Sequence, residues 1–511
     1  MENRKVRLRF APSPTGPLHI GGVRSALYNY LFAKKHGGDF ILRIEDTDQN
    51  RYVEGAEAYI VKSLAWCGIH PDEGPGIGGE YTPYRQSERK ELGVYQKYAD
   101  QLVASGNAYY AFDTAEELDA MRKKLEIAKA SIQQYSHATR GEMKNSLSLP
   151  EEEWKQKIAN GEPFVVRLKV PAGEEIRFTD VIRGEVVFNS DVVDDKVLLK
   201  SDGMPTYHLA HIVDDVLMDI THAVRGEEWL PSAPSHILIY RYLGWEDKMP
   251  QYAHLPLLLK PDGNGKLSKR DGDRLGFSVF PLEWKDPSSG EISSGYRETG
   301  YFPEAVVNML ALLGWNMEGE KEIFSMEELI ANFSFEHVHK AGAKFNPEKA
   351  KWFNEQYLKE KPDAELAELL KPILLKTFND KEFKDEFVVE VCRMMKDRVT
   401  FVSEIATKGS FFFVSPNYTA ENLAKISKTI TEEAINAILD VIGRDITDAA
   451  NLEASLKEVA TAQNLKIGEF MKFLRISIVG ELSGPGVPDL ILLLGANEAK
   501  SRVGECWKLM N

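Results

Sequence analysis

The stretch Val6-Arg-Leu-Arg-Phe-Ala-Pro-Ser-Pro-Thr-Gly-Pro-Leu-His-Ile-Gly-Gly22 runs from a short apolar segment through a proline- and glycine-rich loop into the start of a helix. Residues 6–10 predict a strand. The helix is predicted over 22–36, because Val23, Ala26, Leu27, Tyr30 and Leu31 recur on one face and Gly37-Gly38 stops it. A loop feeding a strand into a helix exposes the first backbone N–H groups and the positive end of the helix dipole. That geometry binds phosphate, and Gly21 and Gly22 carry no side chain to block its approach. His19 adds a side-chain donor beside those amides. Far downstream, the turn cluster Lys260-Pro-Asp-Gly-Asn-Gly265 presents Lys266-Leu-Ser-Lys-Arg270, expected as a loop whose cations follow the charge of a polyphosphate.

Working outward, residues up to about 90 alternate strand and helix, the pattern of a parallel α/β sheet. A second strand over 40–44 ends in Glu45-Asp46-Thr47-Asp48, at the strand end where open α/β sheets gather ligands. Between about 107 and 200 the texture changes. A charged helical stretch over 115–130 precedes Pro163-Phe-Val-Val-Arg-Leu-Lys-Val170, Arg183-Gly-Glu-Val-Val-Phe188 and Lys196-Val-Leu-Leu-Lys200, expected as three strands of an inserted mixed domain. The alternation resumes over 207–259. Asp286-Pro-Ser-Ser-Gly290 and Ser293-Ser-Gly295 mark an exposed loop of no evident role. Beyond about 323 the chain reads as helix, with Asn346-Pro347 supplying an N-cap and a first-turn proline.

A chain of 511 residues exceeds one hydrophobic core, so three or more domains are expected. Lys and Arg number 63 against 78 Asp and Glu, for a formal charge of −15, so nucleic-acid binding requires a locally basic surface on an acidic body. Cys67, Cys392 and Cys506 are far apart and indicate neither a disulfide framework nor a cysteine-rich metal site. The opening Met1-Glu-Asn-Arg-Lys5 has no apolar leader and no run is long enough to cross a bilayer, so no membrane contact and a cytoplasmic location are expected.

The first stretch and Lys266-Leu-Ser-Lys-Arg270 together resemble the two signatures of class I aminoacyl-tRNA synthetases, and their surroundings resemble the bacterial-type glutamyl-tRNA synthetases. The resemblance extends through Arg43-Ile-Glu-Asp-Thr-Asp48, Tyr84-Arg-Gln-Ser-Glu-Arg89, Pro205-Thr-Tyr-His-Leu-Ala210, Val224-Arg-Gly-Glu-Glu-Trp229, Ala311-Leu-Leu-Gly-Trp315, Phe345-Asn-Pro-Glu-Lys349 and Gly484-Pro-Gly486, in family order along nearly the whole chain. It implies a Rossmann-like α/β catalytic domain in two halves, 1–106 and 201–259. An α+β insertion for the tRNA acceptor end would occupy 107–200, a lysine-loop and stem-contact domain 260–335, and an all-helical anticodon-binding region 336–511.

The activity implied is ATP-dependent activation of L-glutamate to glutamyl-adenylate, followed by transfer to the 3′-terminal adenosine of tRNA-Glu, by a monomer. His19, Lys266 and Lys269 match the catalytic positions. His19, Gly21, Gly22, Glu228 and Lys269 match positions that hold ATP, which brings its own Mg²⁺, and Trp229 lies beside them. Arg9, Ala11, Ser13, Glu45, Tyr207, His211 and Arg225 match positions that hold glutamate. Arg9 is expected to grip the side-chain carboxylate with its planar fork and Arg225 to give a second grip; a plainer reading places Arg7 and Arg9 on the outward face of an alternating strand. His211 departs from relatives that have Asn there. Asp46 and Asp48 are not expected to bind metal. Some relatives carry a zinc-binding Cys-x-Cys where this chain has Tyr110-Ala-Phe-Asp113, so no structural zinc is expected. A glutaminyl enzyme, which would end in β-barrels, is disfavoured by the helical C-terminal third. A tRNA-binding protein without activity is disfavoured by the presence of Arg9, His19 and Lys269. Whether tRNA-Gln is also a substrate is not encoded in these motifs.

Overall fold

The computed structural model describes residues 4–130, 133–379 and 381–510; Met1, Glu2 and Asn3 of the opening stretch lie outside them. The chain forms two compact units, Met1–Ala350 and Lys351–Asn511. The first is built on a six-stranded sheet. Its strands in chain order are β1 (Arg7–Phe10) and β2 (Asp39–Leu42), then β5 (Glu175–Asp180), β6 (Gly184–Asn189), β8 (His222–Gly226) and β9 (Gln251–Leu255). Across the sheet they run β2-β1-β8-β9-β5-β6, parallel throughout except for the β5–β6 hairpin. All four residues of β1 are buried, as in a strand covered on both faces. Helix α1 (Ile20–Lys35) lies on β1, β2 and β8 with Ile20, Val23, Ala26, Leu27 and Leu31 buried, and Gly37 leaves it at φ +62°.

The plainer, outward reading of Arg7 and Arg9 fails. A parallel strand covered on both sides has no outward face, so each guanidinium is buried and paired. Arg7 meets Asp39 and Glu73, both at 2.7 Å, and Arg9 meets Asp215.

The three strands expected within 107–200 do not stay together. β4 (Val165–Leu168) pairs with β3 (Ala108–Ala111) on one side and β7 (Val197–Leu199) on the other in a separate sheet, whereas the β5–β6 hairpin extends the main one. The reason is apolar pattern. Ile176, Phe178 and Asp180 of β5 point inward and alternate with exposed residues, and Ile176 and Phe178 join the core formed by Leu209, Ile212 and Tyr252.

The run of helix expected beyond about 323, and all through 336–511, is interrupted at Ala343–Lys344, a short strand paired in parallel with Leu258–Leu259, a long-range contact no local period signals. From Lys351 onward the described residues are helical and contain no strand. Amphipathic pattern sets this packing; Glu432–Ile442, for example, buries Ala434, Ile435, Ile438, Val441 and Ile442. Arg502, 2% exposed, donates to the carbonyls of Phe411 and Ile478 at 2.7 and 2.8 Å and so ties three segments of this unit. Among the described residues no helix is long and apolar enough to cross a membrane.

Candidate active site

β1 and β8 end at a common crevice, a cavity of about 840 Å³. Ala11 and Ser13 reach it from the loop after β1, His19, Gly21 and Gly22 from the start of α1, and Glu45 from beyond β2. Helix Tyr207–Leu217 presents Tyr207 and His211, β1 presents Arg9, and β8 presents Arg225. Glu228, Lys266 and Lys269 complete the wall. Residues scattered over 260 positions of sequence thus face one space.

At the α1 end, the expected row of free amides is absent. The N–H of Ile20 donates to the Val279 carbonyl at 2.9 Å, that of Gly21 to His19 Nδ1 at 3.1 Å, and those of Gly22 and Val23 to the His19 carbonyl at 2.8 and 3.1 Å. Histidine is acting as the N-cap, so the turn satisfies itself. This capping also fixes the ring. Nδ1 accepts, so the proton sits on Nε2, a buried atom with no partner in the protein. Burial, helped by Lys266, pushes the imidazole down to about 4, so His19 is a neutral donor at physiological pH. The two glycines divide their work. A Cβ on Gly21 would meet little besides the His19 ring, whereas one on Gly22 would lie 2.6 Å from Leu18 Cδ1. Gly21 leaves room in the cavity, and Gly22 lets Leu18 and Phe10 pack.

The other end is a buried charge network. Arg9 forms a two-pronged pair with Asp215 at 3.0 Å for both prongs, Arg43 bridges Asp215 at 2.8 Å and Glu45 at 2.9 Å, and both arginines are essentially inaccessible. Burial works against the Asp215 and Glu45 charges, but Arg9, His211 and Arg43 hold Asp215, and the His211 hydrogen bond together with Arg43 holds Glu45, below the ordinary carboxyl range. His211 has both ring nitrogens occupied. Nδ1 faces Glu45 at 3.3 Å and Nε2 faces Arg9 Nη2 at 3.0 Å, so this ring orders its neighbours. Arg225 is different. Its partners are all neutral: Tyr207 Oη at 2.8 Å, His254 Nε2 at 3.1 Å and His236 Nδ1 at 3.2 Å. Among the described residues no carboxylate lies within ion-pair distance of it, and its Nη2 is buried without a partner. Burial and the Arg225 charge keep His236 neutral. With His211 Nε2 at 3.4 Å, three histidines face this one guanidinium, and a neutral imidazole there is an acceptor for a cation already present.

The lysine segment is not the simple loop expected. Ser268 and Asp271 form a capping box, so Lys269 and Arg270 begin a helix, Lys269–Leu275. Lys266 pairs with Glu228 at 2.7 Å and Lys269 with Glu291 at 3.1 Å, all at least one-third exposed. Glu291 lies in the segment of no evident role, which forms a small hairpin of Trp284–Lys285 with Ile292–Ser293. Trp284, Asp286 and Ser293 of that hairpin line the cavity. Asp46 turns away and accepts from the Ser87 amide at 2.8 Å, while Asp48 stays on the cavity wall. Cys67 and Cys392 are buried, with thiols pushed up to about 12. Asp113 accepts from the Lys144 amide at 2.7 Å and from Tyr135 at 3.0 Å.

Asp215, Asp180, His236 and His254 carried no motif and were not anticipated. The only signal was a polar residue in an apolar run, such as Tyr252-Ala-His-Leu255, which is more often read as a turn or a surface position.

A nucleotide-sized crevice at strand ends, a histidine-capped helix and a lysine segment at its rim define the class I tRNA synthetase site. The family profile described as "tRNA synthetases class I (E and Q), catalytic domain" matches residues 5–352, and that described as "Anticodon binding domain" matches 365–506. The chain belongs to this family. It is 53% identical over 506 residues to the glutamate–tRNA ligase of Cytophaga hutchinsonii, covering 98% of this chain and 97% of that protein, and 55% identical over 506 residues to that of Bacteroides fragilis, covering 98% of each. Its fold is similar to the crystal structure of the glutamate-tRNA synthetase from Elizabethkingia anophelis, with a TM-score of 0.93 and 49% identity over 99% of this chain and 100% of that one. It is equally similar to the glutamate tRNA ligase from Elizabethkingia meningosepticum in complex with its amino acid, at the same TM-score, identity and coverage.

Proposed function

We propose that the chain is a glutamate–tRNA ligase. An oxygen of the glutamate α-carboxylate attacks the α-phosphorus of MgATP and pyrophosphate leaves, giving glutamyl-adenylate. The 2′-hydroxyl of the terminal adenosine of tRNA-Glu then attacks the acyl carbon and releases AMP. One observation carries this reading. Two residues that line the same cavity, Arg225 and His19, each hold a buried donor with no partner in the protein, Nη2 and Nε2 respectively. The first is a charged fork lacking a carboxylate, which suits the side chain of glutamate; the second is a neutral N–H at a helix start, which suits a phosphate oxygen. A glutamine amide would leave the Arg225 charge unmatched.

Arg225 and Tyr207 grip the side chain in this reading, Glu45 receives the α-ammonium, and Ala11 and Ser13 line the amino-acid end. Arg9 supports the grip while paired to Asp215. His19, Glu228 and the space at Gly21 serve ATP. Lys266 and Lys269 exchange their carboxylate partners for the β,γ-phosphates, a gain largest as pyrophosphate departs. No side-chain nucleophile takes part; positioning and charge stabilisation lower the barrier. We assign no zinc, since Asp113 is committed to Tyr135 and Lys144. We retain the division 1–106 and 201–259 for catalysis, 107–200 for the acceptor end, 260–335 for the stem and 336–511 for the anticodon, with the hairpin 175–189 given to the catalytic sheet. A monomeric, cytoplasmic enzyme fits this role. Charging of tRNA-Glu and tRNA-Gln transcripts with labelled glutamate and, separately, glutamine tests the reading. Glutamate should load tRNA-Glu; loading of glutamine alone would overturn it.

A further inference from the structure

Arg225 owes its pose to a second layer that no motif marks. Its Nε donates to His254 Nε2 at 3.1 Å, and because that nitrogen must then be the acceptor, the His254 proton sits on Nδ1, which donates to Asp180 Oδ2 at 2.6 Å. His254 and Asp180 are wholly buried. The Asp180 carboxylate is itself pinned by the amides of Ile182, Arg183 and His254 at 3.0, 2.9 and 3.1 Å, at the turn of the β5–β6 hairpin. Tyr252 lies parallel to His254, with ring centroids 5.8 Å apart and an interplanar angle of 11°, and the Arg225 guanidinium sits 5.1 Å from the Tyr252 ring centre. A buried Asp–His pair is an expensive way merely to fill space. What it supplies is an oriented but uncharged acceptor. Were Asp180 to meet Arg225 directly, it would occupy the fork and cancel its charge. With a neutral imidazole between them, the guanidinium is fixed in direction and its charge stays available.

Resting on the reading of Arg225 as the side-chain grip, we propose that Asp180 and His254 are positioning residues for glutamate specificity, acting through Arg225. Asp180→Asn presents an amide N–H where His254 Nδ1–H now donates. Relieving that contact moves the proton to Nε2, which then faces the Arg225 Nε–H, two donors in opposition. His254→Asn is the gentler variant. Its amide keeps a donor for Asp180, so the buried carboxylate stays bonded, but the acceptor for Arg225 is lost.

The test is calorimetric binding of non-hydrolysable glutamyl- and glutaminyl-adenylate analogues to the full chain and to each variant, with melting temperatures alongside. Both variants should weaken the glutamyl analogue at least about tenfold and the glutaminyl analogue less than threefold. On an Arg225→Ala background the same changes should add less than twofold, because the residue through which they act is gone. A fold-wide effect would weaken both analogues alike, and that result, or a full effect surviving Arg225→Ala, overturns the proposal. The unmodified chain separates the two readings. If it shows no preference for the glutamyl analogue, the functional reading falls; if it does and His254→Asn keeps that preference, the positioning role falls.

Discussion

Arg9 and Arg225 enter the cavity as the same side chain in opposite electrostatic situations, and their removal should have opposite consequences. Arg9 holds Asp215 in a buried two-pronged pair, so Arg9→Ala leaves that buried carboxylate to Arg43 alone, at 2.8 Å, with two of its hydrogen bonds unmade. Breaking a buried pair outright typically costs about 3–5 kcal/mol of stability, and the remaining Arg43 contact makes the loss here smaller than that. We expect a melting temperature lowered by several degrees and activity lost for glutamate and glutamine together. Arg225→Ala strands no carboxylate. It should leave the melting temperature nearly unchanged and collapse the ratio of kcat/KM for glutamate over glutamine, with a loss on glutamate of about 2–5 kcal/mol, while the already poor use of glutamine falls little. Thermal unfolding together with charging of the two amino acids, both with tRNA present, checks the pair. Equal ratios in the two variants would remove the distinction. The sequence offered both arginines; it could not show which one already had a carboxylate, because Asp215 lies 206 positions from Arg9.

The helix Lys269–Leu275 shows how a short element can govern a reaction. It has seven residues, too few to be stable alone, and its start depends on the Ser268–Asp271 capping box. Ser268→Ala removes a cap of about 1 kcal/mol and should fray the turn that aims Lys269. Adenylate formation measured in a single turnover, with tRNA present, should slow several-fold while glutamate affinity and melting temperature hold. Lys269→Ala should act on the same step more severely, by about 2.7–4 kcal/mol of activation energy, because its contacts strengthen as pyrophosphate leaves. Near-normal activation in Lys269→Ala would take this lysine out of the mechanism. The capping signal Ser-x-x-Asp stands in the sequence at 268–271, but the turn cluster Lys260-Pro-Asp-Gly-Asn-Gly265 just before it is the stronger local signal and predicts a loop. The hairpin Trp284–Lys285/Ile292–Ser293 was less legible still: its two-residue strands are too short to set a period, and only the fold shows that it faces the cavity.

Several histidines are buried neutral across the catalytic unit, and this makes its stability depend on pH in a definite direction. Burial pushes His19 and His222 down to about 4 and His208 to about 3. Below the ordinary histidine value of about 6.5 the unfolded chain therefore binds protons that the folded chain refuses, and stability falls as pH drops from about 6.5 toward 4. Above about 7 these groups are neutral in both states and contribute no slope. Each histidine is worth roughly 3 kcal/mol at the acid end of this window. Melting temperatures at pH 7.5, 6.5, 5.5 and 4.5 should be flat and then decline, and His222→Asn, outside the cavity, should shallow the decline. A melting temperature unchanged down to pH 4.5 would contradict the buried, neutral state of these rings.

Local order was written in the chain itself. The strand–loop–helix at 6–36 and the helices from Lys351 onward depend on apolar period, glycine and proline placement and caps, which act between near neighbours. Asn346 illustrates this, since its side chain accepts from the amides of Glu348 and Lys349 at 3.0 and 3.2 Å as the dipeptide Asn346-Pro347 predicts. Pairing across long separations was not written there. The transfer of the β5–β6 hairpin to the main sheet, the capture of Arg9 by Asp215 and the neutral shell around Arg225 depend on which buried groups meet. A buried charge takes its partner from whatever the packing brings within about 3 Å, and that distance belongs to the folded chain alone.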